Sequence, residues 1–137
     1  MRQIDIVVRW ADMDAYQHVN NAVYLNYFEE ARDDLMADMF GAEALDFVLA
    51  HVDIDFRNEL TQGDGVVQVL SRVTGFSRSS VRSREIVRKA DGTLASEGGA
   101  VIVPRDPATR RSRPLTADEI SRLEQELEAD RLAGHDF

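Results

Sequence analysis

The 137-residue sequence contains no cysteine. That excludes disulfides, a thiol nucleophile and thiolate metal sites, and it fits a reducing compartment. No apolar run approaches the length of a membrane span, and Met1-Arg2-Gln3-Ile4-Asp5 has no apolar signal core. The expectation is a cytoplasmic protein with no membrane partner. Positive charge is scarce, with 16 Lys and Arg against 25 Asp and Glu and a formal net charge of −9. Nucleic acid is therefore not expected as a general partner, because neutralising phosphates needs clustered positive charge. Gly-x-Ser-x-Gly is also absent, which argues against serine hydrolase chemistry.

Lysine is almost missing, since Lys89 stands alone, and arginine takes its place. The basic residues gather between Arg72 and Arg88 and between Arg105 and Arg113. Arginine forks match phosphate oxygens bidentately, so a locally basic groove on an acidic protein suits a small phosphorylated ligand. Any one of these arginines fits a solvent-facing strand position equally well.

What remains is ordinary globular composition, 44% apolar and 30% charged. Length predicts one domain over residues 1–137, with a core to residue 105 and a basic segment and C-terminal helix over 106–137. Ile4 to Trp10 reads as a first strand, and Ala22 to Phe40 as a long helix stopped by Gly41. The first two turns of that helix are apolar on most sides, so that end is expected to be buried nearly all round. Val52, Ile54 and Phe56 alternate with Asp53, Asp55 and Arg57, as in a half-buried strand. Gln62 to Gly65 reads as a turn, and strands follow over Val66–Thr74, Ser79–Arg88 and Leu94–Val103. After the irregular stretch Pro104–Pro114, Thr116-Ala117-Asp118-Glu119 is a capping box for a last helix. The class is α+β, a long helix against a five-stranded antiparallel sheet. Such a sheet has edges to manage, and pairing them across a two-fold axis predicts a homo-oligomer.

The chemistry concentrates in Asp12-Met13-Asp14-Ala15-Tyr16-Gln17-His18-Val19-Asn20-Asn21, where strand gives way to helix. Reactive groups there can share the free N–H groups and positive dipole of the helix start. Asp12, Asp14 and His18 could each ligate a metal, but the remaining ligands and the glycine of a calcium loop are missing. No metal and no cofactor are expected.

Arg9-Trp10-Ala11-Asp12-Met13-Asp14, His18-Val19-Asn20-Asn21 and Tyr24-Leu25-Asn26-Tyr27-Phe28-Glu29-Glu30-Ala31-Arg32 together resemble the hotdog-fold thioesterases of the 4-hydroxybenzoyl-CoA thioesterase-like group. Phe56-Arg57, Gly63-Asp64 and Phe76-Ser77-Arg78-Ser79-Ser80 extend the resemblance over residues 3–105. The resemblance implies a hotdog fold, the sheet wrapped around a long central helix. It implies hydrolysis of an acyl-CoA or acyl-carrier-protein thioester to a carboxylic acid and a thiol. Asp14 takes the place of the catalytic aspartate, as nucleophile or general base, and the backbone N–H of Asn21 falls where the family polarises the carbonyl. His18, Asn20 and Tyr24 stand beside them as substrate-binding candidates, and Arg78 and Ser80 match the nucleotide-binding strand. Relatives often carry an aromatic or histidine where Asn21 stands, and another branch uses a helical glutamate, for which Glu29 and Glu30 are the candidates here. Tyr24, Tyr27 and Phe28 could line an acyl pocket, though core packing accounts for at least two of them. A homodimer or homotetramer is expected. The alternative is a non-catalytic module that binds acyl-CoA or acyl-carrier protein.

Overall fold

A computed structural model describes residues 1–137. In chain order it contains β1 (Arg2–Val7), α1 (Asn21–Phe40), β2 (Phe47–Phe56), β3 (Val66–Ser77), β4 (Ser80–Arg88), β5 (Leu94–Pro104) and α2 (Ala117–Ala133), with short 3-10 turns at Trp10–Asp12, Gly41–Asp46 and Gln62–Asp64. The strands form one antiparallel sheet in the order β1-β3-β4-β5-β2. This is the hotdog arrangement, with α1 lying across the sheet. No helix is long and apolar enough to cross a membrane.

Local chemistry sets the element ends. The Asn20 side chain caps α1 by accepting the Ala22 N–H at 2.9 Å. Gly41 ends the helix at φ +59°, a conformation that favours glycine. The Thr116–Glu119 capping box is present, and it opens α2 with both reciprocal bonds formed. Gly98 permits the close approach of helix and sheet, because a Cβ there would lie 2.9 Å from Phe28 Cε2 and 2.2 Å from the Asp53 carbonyl oxygen. Tyr24, Tyr27, Phe28 and Ala31 pack with Val67, Val69, Val87 and Ala95 at one end of the sheet. Leu35, Met36, Met39 and Phe40 pack with Val73, Val81, Ile102 and Leu123 of α2 at the other.

Three expectations need correction. The first strand ends at Val7, because Arg9 and Asp12 fold into a capped 3-10 turn instead. The strand expected around Val52 begins already at Phe47, and its alternation is masked by a register shift between Leu49 and His51. The start of α1 is not buried all round. Tyr24, Tyr27 and Phe28 are buried against the sheet, whereas Asn21, Ala22 and Asn26 are exposed on the face that no other element covers. Both sheet edges are open, and β2 exposes Val48, Leu49 and Phe56 along its edge.

Candidate active site

The loop between β1 and α1 is anchored at its root, before it reaches Asp14 and His18. Asp12 is 1% exposed and accepts from Arg9 Nε at 3.1 Å, Arg9 Nη2 at 2.8 Å, the Arg9 backbone N–H at 2.9 Å and Tyr27 Oη at 2.7 Å. Burial works against its charge, but the hydrogen bonds from Arg9 and Tyr27 outweigh it and hold the carboxyl below its usual range. Burial, together with the same contact, pushes the Tyr27 phenol well above its usual range. Asp12 is therefore a fixed anion that pins loop to helix, with no oxygen free for a substrate or metal.

Beyond it the chain closes on itself through a bridge between Met13 and Val19. Within that closure the Asp14 N–H donates to the His18 carbonyl at 3.0 Å, and Asp14 Oδ1 accepts the Tyr16 N–H at 2.9 Å. Gln17 takes the left-handed backbone at φ +66° that the tight turn requires. Asp14 Oδ2 stays free of backbone donors and lies 3.5 Å from His18 Nδ1. His18 in turn stacks against Tyr16, ring centroids 6.1 Å apart, with Nδ1 3.3 Å from the Val19 carbonyl.

The helix start follows immediately. The Asn20 N–H donates to the Asp12 carbonyl at 2.9 Å, which fixes the cap against the anchored acid. Asn21 is the first helical residue, and neither backbone nor side chain accepts its N–H. That donor faces out at the positive end of a 20-residue helix.

His18, Asn21 and Tyr24 meet in a cavity of about 230 Å³ closed by Phe56, Arg57, Asn58 and Glu59. Tyr24 Oη accepts the Leu60 N–H at 3.2 Å, and its ring stands edge-on to Phe56 at 5.1 Å. Burial raises the Tyr24 phenol, so it remains protonated at neutral pH. Tyr27 and Phe28 are core residues, as packing arguments from the sequence anticipated. The Phe56–Glu59 wall was not anticipated as part of the site, although Phe56-Arg57 at the end of an alternating strand was its only available signal.

A wider groove of about 490 Å³ runs between β1 and α1, but Asp5, Glu29, Glu30 and Asp33 line it. Those carboxylates repel an anionic ligand, so the groove is a poor host for phosphates. Arg78 and Ser80 lie elsewhere. β3 starts beside the loop, where the Val8 N–H meets the Gly65 carbonyl, and its 12 residues carry the chain roughly 36 Å away at about 3.3 Å per residue. Arg78 lies in the turn at that far end and Ser80 opens β4 just after it, Ser80 Oγ lying 2.6 Å from Ser77 Oγ. One chain thus unites Asp14, His18, Asn20, Asn21 and Tyr24 but not Arg78 or Ser80.

The sequence profile of the thioesterase-like superfamily matches residues 8–127. The chain belongs to that superfamily. It is 31% identical over 130 residues to the long-chain acyl-CoA thioesterase FadM of Escherichia coli strain K12, covering 90% of this chain and 97% of that one. A thioesterase from Thermus thermophilus, solved with coenzyme A and zinc, is similar at 32% identity and a TM-score of 0.80, over 88% of this chain and 95% of that one. YbaW, a probable thioesterase from Escherichia coli, superposes at 28% identity and a TM-score of 0.79, covering 90% and 97%. The hotdog thioesterase fold expected from the sequence is the fold of this superfamily member.

Proposed function

We propose that this thioester hydrolase acts on acyl-CoA, with Asp14 as general base for the attacking water and the Asn21 N–H as the donor that receives the carbonyl oxygen. The observation that carries the reading is the pairing, across one short loop, of a carboxylate oxygen without backbone donors and a helix N–H without an acceptor. In the step, water oxygen bonds to the thioester carbon while Asp14 Oδ2 takes its proton. Negative charge collects on the carbonyl oxygen, where the Asn21 N–H and the helix dipole stabilise it. Collapse of the tetrahedral species breaks the carbon–sulfur bond, and the departing thiolate takes the proton from Asp14. A bridging water, and not direct attack by Asp14, fits the placement of Asp14 behind His18 and outside the walls of the His18–Asn21 cavity. His18 orients the Asp14 carboxylate, and Tyr24 packs against the acyl group. Coenzyme A, in place of acyl-carrier protein, is supported by the similarity to an acyl-CoA thioesterase and to a coenzyme A complex.

The open β2 edge, with Val48, Leu49 and Phe56 exposed, supports a homodimer in which two copies of β2 pair antiparallel. Such a two-fold reverses the sheet of the partner. It brings the partner's β3–β4 turn, which carries Arg78 and Ser80, to the end of the assembly where this chain holds Asp14. The nucleotide phosphates of the substrate would then be met by the partner's copy of that turn, in agreement with its distance from Asp14 in one chain. The test is release of free thiol from a panel of acyl-CoAs. Turnover by the wild type with strong loss in Asp14→Asn is expected, and binding without any turnover would leave only a binding module.

A further inference from the structure

A second cavity, of about 460 Å³, opens where the last turns of α1, the Gly41–Asp46 turn and the start of β2 meet. Met36, Ala44, Leu45, Phe47 and Leu49 give it an apolar lining. Three charged side chains break that pattern, Glu29, Arg32 and Asp33, and of these only Arg32 is buried. Arg32 lines the cavity and is only 5% exposed, an unusual place for a guanidinium. Its one charged partner is Glu85 beneath it on β4, with Nη1 3.5 Å from Oε1. Ser71 and Ser83 already donate to that same oxygen, at 3.2 and 2.6 Å. Arg32 Nη1, on the Glu85 side, and Glu85 Oε2 are left fully buried without hydrogen-bond partners, and no hydrogen bond engages Arg32 Nε or Nη2, the donors left to face the cavity. A buried donor without an acceptor is costly, so a ligand that supplies one gains more here than on a surface.

Resting on the acyl-CoA reading above, we propose that this cavity holds the distal part of the acyl group and that Arg32 selects acyl chains bearing a neutral oxygen acceptor, a hydroxyl or keto group. In the dimer proposed above, antiparallel pairing of β2 edges sets the Phe47 end of one protomer beside the Phe56 end of the other. The cavity of one chain therefore continues the cleavage pocket of its partner. A carboxylate is the wrong acceptor, because Glu85 already neutralises Arg32 and both Glu29 and Asp33 line the same cavity. A further anion there meets three acids and one base. A fully saturated chain fills the space but leaves the guanidinium unsatisfied.

The experiment compares kcat/KM for acyl-CoAs of one chain length that are saturated, hydroxylated or oxidised to a ketone along the distal half, or terminated by a carboxylate. The wild type is expected to prefer the best neutral oxygenated chain over the saturated one by about tenfold or more, the scale of one hydrogen bond to a charged donor. The carboxylate should gain nothing. Arg32→Met should bring that ratio close to one, through a KM that rises more for the oxygenated chain than for the saturated one. Arg32→Lys should restore part of it. Ser83→Ala removes a bond to Glu85 without touching the cavity, and it should leave the ratio intact. If Arg32→Met does not fold, Ala44→Phe fills the cavity without touching the ion pair and should abolish the preference. A wild-type ratio near one at every position, or a ratio unmoved by Arg32→Met or by Ala44→Phe, overturns the proposal while the hydrolase reading stands. No turnover on any thioester overturns both.

Discussion

Tyr27 Oη donates to Asp12 Oδ2 at 2.7 Å and so ties the buried face of α1 to the root of the loop that carries Asp14. Helix start and carboxylate are thereby held in one frame, the condition for a base and an oxyanion donor to act on a single carbonyl. Tyr27→Phe keeps the ring in the core and removes only this bond. The expected outcome is a loss of about 1–3 kcal/mol of stability and a lower kcat with little change in KM, read by denaturant unfolding and steady-state kinetics.

Asp12 also gives the fold a dependence on pH. Its carboxyl is held below the usual range in the folded chain, so the stabilisation it supplies is complete above its unfolded pKa of about 3.9. That stabilisation disappears as pH falls through the lower, folded value. Asp12→Asn should be less stable than wild type at pH 7, and the gap should narrow on acidification below pH of about 4. Urea unfolding at pH 7, 5 and 3 measures it. A gap that is constant across that range would show that the Asp12 charge does not matter.

The Asn21 assignment concerns a backbone N–H, and a proline tests it directly. Asn21 is the first helical residue, where proline is tolerated, and Asn20 at φ −59°, ψ 136° already has the conformation that precedes proline. Asn21→Pro should fold, bind substrate and lose roughly 10²–10³ in kcat, the scale of a missing oxyanion donor. Asn21→Ala keeps the N–H and should stay close to wild type. Circular dichroism of both variants confirms that α1 is retained.

A linear reading of the sequence sees local patterns and misses contacts made only by the fold. The 19-residue helical pattern closed by Gly41, the Thr116–Glu119 box and the alternation at Val52–Phe56 each report on neighbours within a few positions, so they were legible. The first half of β2 was not, because it lies on an exposed edge with a bulge and buries no regular face. At the site, the Asp14–Asn21 loop could be read as a motif. The Asp12–Tyr27 bond and the Arg32–Glu85 pair could not, since each joins residues whose meeting depends on how α1 lies on the sheet. Arg78 and Ser80 show the limit of a motif match, which carries no information about distance along β3 and so cannot say which copy of the chain would bring them to Asp14.

The assembly is open to a simple measurement. Light scattering should give a mass about twice the 15.4 kDa of one chain, or a higher even multiple. A strict monomer at working concentration would contradict both the pairing of β2 edges and the supply of Arg78 and Ser80 by a partner.

Release of free thiol from a panel of acyl-CoAs, wild type beside Asp14→Asn, decides whether Asp14 drives the hydrolysis. The wild type should turn over at least one acyl-CoA, and Asp14→Asn should lose about 10²–10⁴ in kcat at nearly unchanged KM, as removal of a general base requires. Full activity in Asp14→Asn would rule out Asp14 as the base.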